Sequence, residues 1–196
     1  MVKILCFIPK RSLISSDDIT DLLDSSIDYQ EYPTNFCKPY IINIVDVIEH
    51  KIKDILKTQK LLNAPNNPII IFDYGLSINK LSEAPGSTIN DFYDGITSAV
   101  FEKEFENEEA ILTFGIGYYD GQQTHYWSNN FDVVIKNLTS TTMSSWLETL
   151  IPPEQTTMLN LNFVNMEKKE LYKYHSVLFQ FQKIFLQRLL MIFLKL

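Results

Sequence analysis

The 196-residue sequence holds only two cysteines, Cys6 and Cys37, and only six glycines. Two isolated cysteines build neither a zinc quartet nor a disulfide framework. Cys6 sits in an apolar run and reads as a small buried hydrophobe. Six glycines beside eight prolines exclude a fibrous or low-complexity chain. Basic residues are the minority: 17 stand against 24 acidic ones, for a formal net charge of -7. Affinity for nucleic acid rests chiefly on neutralising phosphates, so no nucleic-acid partner is expected. A small phosphorylated ligand needs only one local basic cluster or one divalent ion. No apolar run reaches the roughly 18 residues that cross a bilayer. The most apolar stretch, 185–196, is broken by Gln187, Arg188 and Lys195. Residues 1–9 are too short and poorly flanked for a signal peptide. These absences lead to the expectation of a soluble, cytoplasmic protein with no membrane partner.

What is present is enough hydrophobic sequence, 45% of residues, to bury one sizeable core. Residues 2–8 form an apolar run stopped by Pro9, as a buried strand would. Ser15, Ser16, Asp17 and Asp18 precede Ile19, Leu22 and Leu23, a helix N-terminus with acids in its first turn. Residues 30–39 carry two prolines and read as loop. Over 46–62, apolar residues recur at Val47, Ile48, Ile52, Ile55, Leu56 and Leu61, which is helical spacing. Residues 68–72 predict a central strand, and 89–106 a helix. A second strong strand is expected over 110–119, turned by Asp120-Gly121 into a return over 122–127, with a further strand at 131–135. Residues 168–196 predict a long apolar helix that closes the protein, and such all-round apolarity means burial, as in a homodimer seam. Strands and helices interleave with hairpins, so the expected class is α/β with a mixed sheet in one domain spanning 1–196.

The strongest local pattern runs Asp73-Tyr74-Gly75-Leu76 and on to Ser82-Glu83-Ala84-Pro85-Gly86. An acid is expected to end a buried strand, at the carboxyl edge where ligands of α/β sheets usually lie. A glycine two residues on would permit a tight turn whose amides can face an anion.

This segment resembles the central motif of the inosine triphosphate pyrophosphatase (ITPase) family, Asp-(Ser/Thr)-Gly-Leu followed by Gly-Gly-x-Pro-Gly. Further likenesses are Ile48-Glu49-His50, similar to the family's Phe-x-Glu-Asn helix, the segment Trp146-Leu147-Glu148-Thr149-Leu150-Ile151-Pro152, and His175. The resemblance implies an elongated mixed sheet flanked by helices in two lobes about a central cleft. It implies a nucleoside triphosphate pyrophosphatase converting ITP, dITP or XTP to the monophosphate and pyrophosphate. Glu49 and Asp73 would hold Mg2+, or Mn2+ in its place, and Asp73 or the metal would orient the attacking water. Pro85 and Gly86 would form part of the substrate site. Trp146 would stack on the purine, with Glu148 and His175 beside it, and Lys10 and Arg11 would offer charge to the triphosphate.

The chain also departs from the family pattern. Phe72 stands where the family has a second acid, Leu147 where it has its purine-reading Asp, and Ser176 where it has an arginine. Ile8-Pro9-Lys10-Arg11 replaces the phosphate-binding turn. Each change removes a polar group, and clusters of catalytic groups are not additive. A second reading is therefore a degenerate member, weak or inactive, that binds a nucleotide or a protein. A third is an unrelated α/β interaction protein.

Overall fold

The computed structural model describes residues 4–8, 27–31, 43–62, 67–96, 98–136 and 150–151. In chain order they form β1 (Ile4–Ile8), β2 (Ile27–Glu31), α1 (Ile44–Leu61), β3 (Ile69–Ile78), a 3-10 turn (Asn79–Leu81), β4 (Pro85–Gly86), α2 (Ile89–Ile96), α3 (Ser98–Glu104), β5 (Glu109–Tyr119), β6 (Thr124–Ile135) and β7 (Leu150–Ile151). The strands make one mixed sheet in the order β2-β1-β3-β5-β6-β7, with β4 also on β3. β1 runs parallel to β2 and β3, whereas β5, β6 and β7 follow antiparallel. This is the expected α/β class.

The α1 helix forms where its spacing predicts. Asn43 caps it, its side chain accepting from the Val45 amide at 2.8 Å. Asp46 in the first turn and Lys60 in the last complement the helix dipole. Ile44, Val47, Ile48, Ile52 and Ile55 make its buried face. That face lies directly on β5, because Gly115 and Gly117 present no side chain there. An added Cβ at Gly115 would lie 2.5 Å from Ile48 Cδ1, and one at Gly117 would overlap Ile48 and Ile52.

β3 is the main departure from expectation. It continues past Asp73 to Ile78, so Asp73 lies within a strand and Gly75 is no turn. The reason is period-two alternation. Phe72, Tyr74, Leu76 and Ile78 share one face, while Asp73, Gly75 and Ser77 share the other. Ten residues of β3 pair in register with β5, from Ile69 opposite Tyr119 to Ile78 opposite Ala110. Each face then buries its own cluster. Ile69 and Ile71 join Phe7, Tyr119 and the α1 isoleucines. Tyr74, Leu76 and Ile78 join Ile89, Tyr93, Phe101, Phe105, Leu112 and Val133 beneath α2 and α3.

Three smaller differences follow from local chemistry. The helix expected over 89–106 is two helices, with Gly95, a weak helix former, just before the end of the first. The separate strands expected at 122–127 and 131–135 are one strand, β6. β2 occupies residues at the edge of the expected loop, held by parallel pairing to β1 that no local pattern announces. The β5–β6 hairpin turns where expected. Asp120 Oδ1 accepts from the amides of Gln122 and Gln123 at 2.7 and 2.8 Å, and these bonds hold its carboxyl below the usual carboxylate range. The expected helices at 14–24 and 168–196 lie outside the described residues, as does any homodimer seam built on the latter. Among the described residues, no helix is long and apolar enough to cross a membrane.

Candidate functional site

Asp73 is a buried carboxylate in the middle of the sheet. Strand alternation points it to the α1 face, and its cross-strand neighbour is Gly115, with Ser128 of β6 beyond. Burying a charge is costly unless it is paired and hydrogen-bonded, and here it is both. The Tyr74 amide donates to Oδ1 at 2.9 Å, and the Lys51 ammonium of α1 donates to Oδ2. The Lys51 side chain is only 13% exposed, so this pair is largely withdrawn from water.

Pro85 and Gly86 pair with the same strand further along, three and four residues past Asp73. β4 pairs antiparallel with β3, Gly86 opposite Leu76 and Pro85 opposite Ser77. The intervening loop is held by backbone bonds, including Ile78 N–H to Ala84 O at 2.9 Å, and its Ala84-Pro85 peptide is cis. Gly75 is the point of closest approach. A Cβ there would sit 2.9 Å from the Gly86 carbonyl carbon and 3.0 Å from the Ser87 nitrogen. Glycine is thus required at 75 for packing rather than for a turn. Ser82 and Glu83, which stand where the resembled motif has two glycines, both take positive φ, 51° and 71°. The loop conformation survives without the residue that makes it easy.

Glu49 is placed elsewhere. Successive helical residues are about 100° apart, so Glu49 lies about 160° around α1 from Lys51. Its carboxylate pairs with Lys53 at 2.6 Å on the same helix. It also faces β6: burial pushes the Tyr126 phenol up, and the Glu49 charge adds to that. β5 separates β6 from β3, and two strand spacings span about 10 Å. A magnesium ion binds oxygens at about 2.1 Å, whereas Glu49 and Asp73 each have a lysine partner of their own here and no shared position. Among the described residues, no three His, Cys, Asp or Glu side chains gather as a metal site. Phe72 lies on the opposite face from Asp73, buried with its neighbours. Tyr74, in the motif's hydroxyl position, packs edge-on to Phe114 at 6.2 Å rather than facing the carboxylate.

The structure therefore sets Asp73 on β3, with Pro85 and Gly86 on the strand paired to its later half, and turns Glu49 away from Lys51. Lys10, Arg11, Trp146, Glu148 and His175 lie outside the described residues. Lys51 is the residue that the motifs did not point to. Its signal was in the helical spacing: four after Val47, three after Ile48 and four before Ile55, it falls within the apolar stripe. A lysine there needs an anionic partner on the sheet.

No family model matches the sequence, and no curated protein does. Solved structures do match the fold. A nucleoside-triphosphatase / dITP/XTP pyrophosphatase from Mycobacterium abscessus superposes with a TM-score of 0.53 at 11% identity, over 80% of this chain and 94% of that one. A HAM1 protein from Coxiella burnetii superposes at 0.52 with 14% identity, over 87% of this chain and 91% of that one. The chain has an ITPase-like α/β fold.

Proposed function

We propose that this chain binds purine nucleoside triphosphates, of the non-canonical kind (ITP, dITP, XTP), beside Asp73, and hydrolyses them weakly or not at all. One observation carries the reading: the two acids that would share a metal are each paired with a lysine of their own, Asp73 with Lys51 and Glu49 with Lys53. Hydrolysis of a phosphoanhydride depends on neutralising charge at the phosphates and positioning water, and among the described residues this pairing leaves no two-acid centre to hold the ion. Binding has separate support. The fold is similar to that of a nucleoside-triphosphatase / dITP/XTP pyrophosphatase, and two residues after the buried Asp73 the strand lies against the backbone of Gly86 and Ser87. The reading includes a cytoplasmic homodimer closed by segment 168–196.

A second reading, turnover to the monophosphate and pyrophosphate, is favoured by the retention of Asp73 on the central strand that also pairs with Pro85-Gly86. Both readings require binding, which raises the stability of the folded state by about 2.7 kcal/mol at a ligand concentration of 100 times Kd. The test is the melting temperature of the full chain with ITP, dITP, XTP, GTP, ATP and the pyrimidine triphosphates. A rise with ITP or XTP exceeding that with the pyrimidines is expected. No rise with any nucleotide would overturn both readings.

A further inference from the structure

We infer that Lys51 takes the place of a divalent cation at Asp73, so that nucleotide binding there needs neither Mg2+ nor Mn2+. The second half rests on the nucleotide reading above; the first stands on the side chains alone.

Each carboxylate oxygen of Asp73 already has a cationic or amide partner, Lys51 on Oδ2 and the Tyr74 N–H on Oδ1. A divalent ion at the same oxygens would meet the ammonium as a like charge in a poorly solvated place. The ammonium does not step aside easily, because its helix position sets it among Ile44, Val47, Ile48 and Ile55, all buried against the sheet.

Among the described residues, the surroundings also lack the oxygens that a hard cation needs, since Mg2+ takes six near 2.1 Å and Ca2+ six to eight. On the Asp73 face, the next residues along β3 are Ile71 and Gly75, and the cross-strand residue is Gly115. Ser128 is the next polar group across the sheet. Glu49 pairs with Lys53 about 160° around α1 from Lys51, and the Phe72 position faces the other way. One carboxylate with one built-in monovalent cation is a neutral pair.

The test is Mn2+ titration of the purified full chain, with free Mn2+ read by electron paramagnetic resonance. Wild type and Asp73→Asn should bind Mn2+ equally, because the Asp73 carboxylate holds none. Lys51→Glu removes the ammonium and adds a second carboxylate, and should gain one site at least about ten-fold tighter than any in wild type, since charge count sets affinity in such sites. Should that variant fail to fold, Lys51→Gln, which keeps a donor of similar length, should gain a weaker site. Mn2+ binding in wild type that Asp73→Asn abolishes, or no gain in either folded Lys51 variant, would overturn the cation assignment. In parallel, ITP should raise the wild-type melting temperature as much in EDTA as in Mg2+. A rise confined to Mg2+ would overturn metal-independent binding. No rise in either buffer would overturn the nucleotide reading itself, while the Mn2+ comparison still decides the role of Lys51.

Discussion

The α-carbon of Gly75 faces the backbone of Gly86 so closely that a single methyl between them would stand 2.9 Å from the Gly86 carbonyl carbon. Backbone atoms on both sides cannot swing away as a flexible side chain can. Gly75→Ala should therefore cost about 1–3 kcal/mol, as overpacking does, read by urea denaturation. Gly95→Ala is the control. It lies in α2 with nothing within 4 Å of its added Cβ, and should stabilise by about 0.5–1 kcal/mol. Equal effects at the two positions would refute the close approach.

The loop between β3 and β4 offers the opposite case. Ser82 and Glu83 hold φ values of 51° and 71°, a region that costs a side-chain-bearing residue about 1–2 kcal/mol. Ser82→Gly and Glu83→Gly should each raise stability, by an amount reduced through the greater freedom of glycine in the unfolded chain. Calorimetric melting temperatures would show it, and a fall at both positions would mean that the loop is not left-handed.

The Lys51–Asp73 pair gives a third expectation. Removing one partner of a buried pair strands the other charge and typically costs about 3–5 kcal/mol. Asp73→Leu and Lys51→Met should each destabilise on that scale. The double variant should recover most of the loss, because neither charge is then left alone. A double-mutant cycle in urea isolates the coupling; additive losses would mean that the two side chains do not interact.

Alkaline pH gives a fourth. Burial pushes the Cys6 thiol up to about 12. The unfolded chain ionises this thiol near pH 8.5 and the folded chain does not. Between those values the unfolded state binds fewer protons, and stability falls as pH rises, by up to about 1.4 kcal/mol per pH unit from this group. The group's contribution is intact below pH 8.5. In a Cys37→Ser background, Cys6→Ala should flatten the decline measured from pH 8.5 to 11, and an unchanged slope would count against it.

The elements legible in the sequence were those whose pattern is dense and local. α1 shows five buried positions at helical spacing, and the β5–β6 turn shows Asp-Gly between strand-forming runs. β3 was legible only to its midpoint, because Asp73 and Gly75 look like strand-ending residues along the chain. Its continuation depends on cross-strand partners, Gly115 opposite Asp73 and Thr113 opposite Gly75. β2 is invisible for the same reason, its bonds coming from β1. Asp73, Pro85 and Gly86 share one sequence motif, and the pairing of β4 with β3 follows from the short loop between them. Glu49 was misleading, since a short sequence likeness says nothing of which way a helical residue faces, and two positions along α1 reverse the direction. Lys51 could have been found by plotting α1 as a wheel and asking what a lysine does among isoleucines.

The most direct single measurement is the chemical identity of nucleotide held by an excess of purified full-length protein after incubation with ITP and Mg2+. Protein and ligand would be separated rapidly and the bound fraction resolved by ion-exchange chromatography. The expected result is intact ITP on the protein, with little or no IMP and pyrophosphate. Rapid, stoichiometric appearance of IMP and pyrophosphate would contradict binding with little or no turnover, and would mean that hydrolysis proceeds despite the pairing of Asp73 with Lys51 and Glu49 with Lys53.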